Sequence, residues 1–224
     1  MDTPYAPHSS PVALTAELDA PLSRWLWLVK WLLVIPHWIV LFFLWIGFFV
    51  ATVIAFFAIL FTERYPRALF DFNLGVLRWA WRVSYYSYSA LGTDRYPPFS
   101  LGAEPGYPAR LDVDRPERLS RGLVLVKWWL LAIPHYLVLA FFTGGMRAGL
   151  WSIGLISLLA LFAGVAVLFT GRYPRDLFVL VVGLNRWMFR VVAYAGLMTD
   201  VYPPFRLDQG GAEPPSKSLS GYGS

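Results

Sequence analysis

Two histidines and two arginine pairs are the residues of this chain whose type and spacing could do chemistry. His37 follows Pro36 in LLVIPHW (32–38), and His135 follows Pro134 in LLAIPHY (130–136). Both stretches lie inside long apolar runs, where an ionisable ring is costly and marks a site by default. A paired imidazole there could relay protons, ligate a metal or touch a substrate. The structural alternative is that proline frees a backbone carbonyl one turn earlier and the histidine, or a water it holds, satisfies it. No intramembrane carboxylate accompanies the pair, which favours the second account. Arg78 and Arg82, like Arg186 and Arg190, are four apart, so each pair shares one helical face. Trp79, Trp81, Tyr85, Tyr86 and Tyr88 surround the first pair, a pattern that points to lipid-headgroup contacts, anionic ones above all.

Other polar residues have plainer readings. Lys30 and Lys127 sit about two turns inside apolar runs and are expected to snorkel toward headgroups. Asp94 and Asp200 precede YPPF turns and are expected to cap local backbone. Asp112, Asp114 and Glu117 interleave with Arg110, Arg115 and Arg118 as a solvated, self-paired surface. No phosphate loop, serine elbow, zinc-protease or dinucleotide motif is present. With no Cys, thiolate chemistry and disulfides are excluded. No catalytic residue, metal ligand or cofactor is assigned.

The elements that must hold these residues are membrane elements. Hydrophobic residues make up 57% of the 224 and charged ones only 15%, with mean hydropathy +0.52. A soluble domain is about one quarter charged. The 11 Trp and 12 Tyr suit a chain with much surface at headgroup level. The net charge of +5 flanks apolar runs, so it points to anionic lipid and topology rather than nucleic acid. The N-terminal stretch lacks the basic start and apolar core of a signal peptide.

The chain is a tandem repeat. LSRWLWLVKWLLVIPHW (22–38) matches LSRGLVLVKWWLLAIPHY (119–136), which is one residue longer; FTERYPRALF (61–70) matches FTGRYPRDLF (169–178); GVLRWAWR (75–82) matches GLNRWMFR (183–190); and TDRYPPFSL (93–101) matches TDVYPPFRL (199–207). Repeat 1 covers 12–101 and repeat 2 covers 109–207, joined by a Gly/Pro linker at 102–108. The polar ends, 1–11 and 208–224, are expected to be disordered.

These patterns predict an all-α membrane protein: two repeated transmembrane helical hairpins, four spans at about 24–44, 46–62, 122–142 and 150–170. The Gly-rich TGGMRAG (143–149) marks the second hairpin loop, and a turn near Gly47 would close the first. Each hairpin leads through RYPR into an interfacial amphipathic helix, 67–90 or 175–197. Period-two stretches at 13–18, 109–114 and the YPPFSL and YPPFRL tails read as short cytoplasmic β-strands. The hairpins put every Lys and Arg except Arg147 on one side, so the positive-inside rule places both termini in the cytoplasm.

With these blocks in view, the chain resembles a bacterial membrane family catalogued as domain of unknown function 4389. The resemblance rests on VKWLLVIPHW, FTERYPRALFDFNLGVLRW, TDRYPPFSL and their counterparts in repeat 2. It implies an integral membrane protein of unknown role and carries over no activity; the four expected spans make the chain multi-pass in the cytoplasmic membrane. Three functions are then open. The first is a non-enzymatic accessory or scaffolding subunit that docks on a protein partner, or self-associates, and organises lipid. The second is a small transporter or channel using His37 and His135 at the repeat interface. The third is a lipid-active enzyme with Arg holding phosphate and His as base.

Overall fold

Apolar side chains alternate with Ala, Thr, Arg and Asp in VALTA and ARLDV, and these segments form strands β1 (Val12–Ala16) and β2 (Ala109–Val113). They pair antiparallel about Leu14 and Leu111, so the two repeats meet in one two-stranded sheet. The computed structural model describes residues 10–19, 21–143 and 154–209. The YPPFSL and YPPFRL tails expected as strands are bent chain outside the sheet.

In repeat 1 a 3-10 turn (Leu26–Leu28) leads into α1 (Lys30–Leu33), a break at Val34, and α2 (Ile35–Thr62). Helix α3 (Arg67–Tyr86) follows the RYP corner. Repeat 2 runs through α4 (Arg121–Val126), a π-helical turn (Lys127–Leu131), α5 (Ile133–Thr143), α6 (Leu155–Thr170) and α7 (Arg175–Ala195). Pro36 stands in the first turn of α2, where its missing N–H costs nothing. It starts a helix rather than bending one.

The hairpin expected in repeat 1 does not form. Helix α2 continues through Gly47 for 28 residues, about 42 Å at 1.5 Å per residue. No Asp, Glu, Lys or Arg and no Gly/Pro loop interrupts this run, so nothing local competes with continued backbone bonding. Arg24 and the Arg64/Arg67 pair therefore flank one long apolar helix. In repeat 2 the connection between α5 and α6, with Arg147, lies outside the described residues. By length and composition α2 (mean hydropathy 2.7) and α7 (1.5) could each cross a membrane, and the pair α4–α5, bent by 42°, could form a third crossing.

Helices α3 and α7 are core elements, not flat surface helices. Phe70, Leu77, Trp81, Tyr85 and Tyr86 of α3 are at most 1% exposed, and α7 buries Val181, Trp187, Phe189 and Tyr194. The rings expected among acyl chains pack against protein because the strands and the repeat tails cover the arginine face.

The repeats are related by a pseudo-twofold arrangement, the isologous form usual between identical subunits. Trp81 and Phe189 hold the same repeat position and meet each other, with centroids 5.7 Å apart. Arg78 donates to Leu111 O in β2 (3.1 Å), and Arg186 donates to Leu14 O in β1 (2.9 Å). The tyrosines of the two RYP corners also cross over. Tyr173 donates to Ala90 O at 2.8 Å, and the Tyr65 hydroxyl stands 3.5 Å from Gly196 O while accepting from Asn73. Burial pushes the Tyr65 hydroxyl up to about 12, so it stays protonated. The start of the C-terminal segment expected to be disordered is held as well: the Gln209 amide accepts from Leu14 N and donates to Val12 O.

The extra residue of repeat 2 is absorbed at the π-turn. Ala132 N bonds Lys127 O, five residues back, where in repeat 1 Val34 N bonds Lys30 O, four back. A one-residue insertion in an α-helix rotates everything beyond it by about 100°; a π-bulge takes up that residue locally. Deleting Trp129, which is 47% exposed, converts the turn to the repeat-1 form. The expected cost is under about 1.5 kcal/mol, read as a small shift in thermal midpoint in detergent. Deleting Phe49 in α2 instead turns Ala51, Ala55 and Ile59 off their buried stripe and should prevent folding.

Candidate functional site

The two most polar buried places are one construction built twice, from the opening segment of each repeat and its TD-x-YPPF segment. Lys30 is 1% exposed. Its ammonium donates to Thr93 O at 2.6 Å, pairs with Asp94 at 3.0 Å and lies over the Tyr86 ring. Lys127 is 0% exposed; it donates to Thr199 O at 3.0 Å, pairs with Asp200 at 2.7 Å and faces Tyr194. The other oxygen of each aspartate accepts from a backbone N–H at the mouth of its repeat, Ser23 or Ser120. The lysines do not snorkel, because a carboxylate and a carbonyl reach them inside the protein. The aspartates cap distant rather than local backbone.

One step deeper sit the histidines, each in a cage of rings from its own repeat. His37 stacks on Phe99 (centroids 4.0 Å, 15°), with Tyr96 and Trp79 beside it. His135 stacks on Phe205 (4.3 Å, 20°), with Tyr202 and Trp187 beside it. Trp79 Nε1 donates to His37 Nδ1 at 3.0 Å. His37 Nε2 and both nitrogens of His135 have no partner among the described residues. No histidine nitrogen bonds the freed carbonyls directly: Val34 N–H points to Leu32 O, four residues before Pro36, and Ala132 N–H to Leu130 O, four before Pro134, while at the break Leu33 O accepts from the Tyr96 hydroxyl at 3.1 Å. Among the described residues, no ring contact joins one cage to the other.

The inner arginines close each repeat. Arg82 donates to Gly102 O at 2.9 Å and to Ser100 O, and Arg190 donates to Arg206 O at 3.0 Å and to Asp208 O. Both are 2% exposed. Arg78 adds an ion pair with Asp112 at 3.0 Å, so the charge partner of Asp112 is in α3 rather than among Arg110, Arg115 and Arg118. A five-donor fork that holds two carbonyls at once is what guanidinium does better than ammonium. The four arginines thus fasten the tails and strands to α3 and α7. Among the described residues no three His, Cys, Asp or Glu side chains converge as a metal site would need.

The lysine–aspartate clasp was not anticipated from the sequence, though its signal was present. Lys and the TD dipeptide recur together in both repeats, as two halves of a contact must. The family model described as "Domain of unknown function (DUF4389)" matches residues 24–100 and again 125–206. The chain belongs to the DUF4389 family. Each matched DUF4389 unit contains one clasp aspartate and one histidine cage, so the shared pattern is the closure of a repeat upon itself. No curated protein and no solved structure matches the chain.

Proposed function

We propose that this DUF4389 protein is a non-enzymatic accessory or scaffolding subunit of a membrane complex, multi-pass in the bacterial cytoplasmic membrane, that works through lipid- and partner-facing apolar surface. The observation that carries this reading is a division of labour among side chains. Lys30, Lys127, Arg82 and Arg190 are taken up by bonds inside the chain. Outside, only 22% of the most apolar stretch of α2 is buried, and Phe42, Phe43, Phe49, Phe57 and Phe61 are each more than half exposed. An apolar surface of that extent marks membrane or protein contact. The side chain of Gln209 bonds to β1, which supports both chain ends lying on one side. We place that side in the cytoplasm, together with the basic residues in and after β2, Arg110, Arg115 and Arg118.

Photocrosslinking in native membranes from residues placed at Phe49 and Phe57 tests the subunit reading. One discrete protein adduct at near-stoichiometric yield is the expected result. Adducts to lipid alone would overturn the accessory role. Because the chain has no Cys, single cysteines at Ser10 and Gln209 report sidedness directly. Both should be protected from an impermeant thiol reagent added outside intact cells.

A further inference from the structure

The two repeats differ beside a groove between α2, the end of α3, and helices α6 and α7. It encloses about 620 Å³, within the roughly 300–1,000 Å³ of ligand pockets. Trp38, Leu41 and Trp45 of α2 form one wall and Met188 and Phe189 of α7 another. Ser84, Ser89 and Ser157 also line it, and their hydroxyls donate no hydrogen bond among the described residues. Repeat 2 has Val192 where repeat 1 has Ser84, and its turn between Tyr194 and Thr199 is shorter than that between Tyr86 and Thr93. The serines at the end of α3, Ser84 and Ser89, therefore belong to repeat 1 alone, and Ser157 of α6 faces them from repeat 2.

We propose that this groove holds one acyl chain of a membrane phospholipid, with ester oxygens accepting from the serine hydroxyls. This rests on the membrane-embedded reading above. The groove wall is continuous with the outward face of α2, since Trp38 (51% exposed) and Phe42 (62%) border both. Its Trp38 and Trp45 are of the type that settles at the headgroup boundary, the depth at which ester groups lie. Hydroxyls in an apolar wall are costly without acceptors. An ester carbonyl at the boundary is the acceptor a bilayer supplies, and it has no donor of its own to satisfy.

The test uses the full-length protein in vesicles containing phosphatidylcholine with a photoactivatable diazirine in one acyl chain, with labelled peptides mapped. Label is expected on Met188 and should persist after exchange into detergent. The double substitution Ser84→Leu/Ser157→Leu removes two donors and fills the groove, and should cut Met188 labelling about tenfold. Phe49, 69% exposed on α2 one turn beyond the groove lining, should be labelled equally in both proteins. Met188 labelling that is absent, or unchanged in the double variant while Phe49 is labelled, overturns the groove proposal and leaves the membrane reading standing. Loss of label at Phe49 as well counts against the membrane reading itself. Displacement of the Met188 label by free fatty acid, but not by unlabelled phosphatidylcholine, identifies a free acid as occupant and also overturns the proposal.

Discussion

Asp94→Ala is expected to destabilise the protein by about 3–5 kcal/mol, the cost of leaving a buried charge without its partner. The effect should be asymmetric. Lys30 is 1% exposed while the Asp94 side chain is 26% exposed, so removing the acid strands a buried ammonium, whereas removing the base leaves a carboxylate that water reaches. Lys30→Met keeps the apolar stem and should cost less than half as much. In Lys30→Met/Asp94→Ala no buried charge is left, and most of the loss should be recovered. Asp94→Asn should fall between, because an amide oxygen can still accept from Ser23 N–H while the charge is gone. Thermal or denaturant unfolding in one detergent, run on all four variants, reads the coupling as a double-mutant cycle. A drop below about 1 kcal/mol for Asp94→Ala would mean that the clasp does not hold the repeat closed. The pair Lys127–Asp200, at 2.7 Å, should behave alike.

Trp81→Ala should be comparably damaging, at about 3–5 kcal/mol for a fully buried large ring. Trp81 is 0% exposed and lies where the pseudo-twofold relation brings the repeats together, against Phe189 and Tyr85. Its indole N–H reaches Thr15 O in β1 at 3.4 Å, so the loss falls on the sheet as well as on the helix contact. Trp81→Phe copies what repeat 2 carries at this position and should retain most of the stability. The diagnostic readout is separation of the repeats. Limited proteolysis in the 102–108 linker should accelerate in Trp81→Ala and not in the Phe variant. Unchanged proteolysis with a lowered midpoint would place the ring in the core of repeat 1 alone.

Duplication, apolar helices long enough to cross a membrane and two of the expected strands were legible in the sequence, because each depends on local pattern. Two short alternating stretches are β1 and β2, and their pairing joins the repeats as expected. RYP corners start α3 and α7 within the first residue or two of the expected position. The single helix in repeat 1 was obscured by length: a largely apolar run of 38 residues (25–62) suits two short crossings as well as one long helix preceded by a broken entry. The Lys30–Asp94 and Tyr96–Leu33 contacts show that residues up to Val34 belong to the entry. Candidate site residues were found by type, but their partners were not, since an arginine pair on one helical face looks the same whether it meets phosphates or carbonyls.

What the sequence determined by itself was therefore periodic and compositional: two copies, apolar runs, an aromatic-rich chain, and a proline–histidine step repeated at one place in each copy. What only the tertiary structure decided was where each polar group finds its complement. Lys30 with Asp94, His37 with Phe99, Arg82 with Ser100 and Gly102, and Arg186 with Leu14 are partnerships between segments far apart in the chain. In an apolar surround a charge or a carbonyl must be satisfied by something, and sequence records the need but not the partner. Packing supplied the partner from within the protein, and so turned residues that looked ready to meet lipid or substrate into the fastenings of a two-repeat fold.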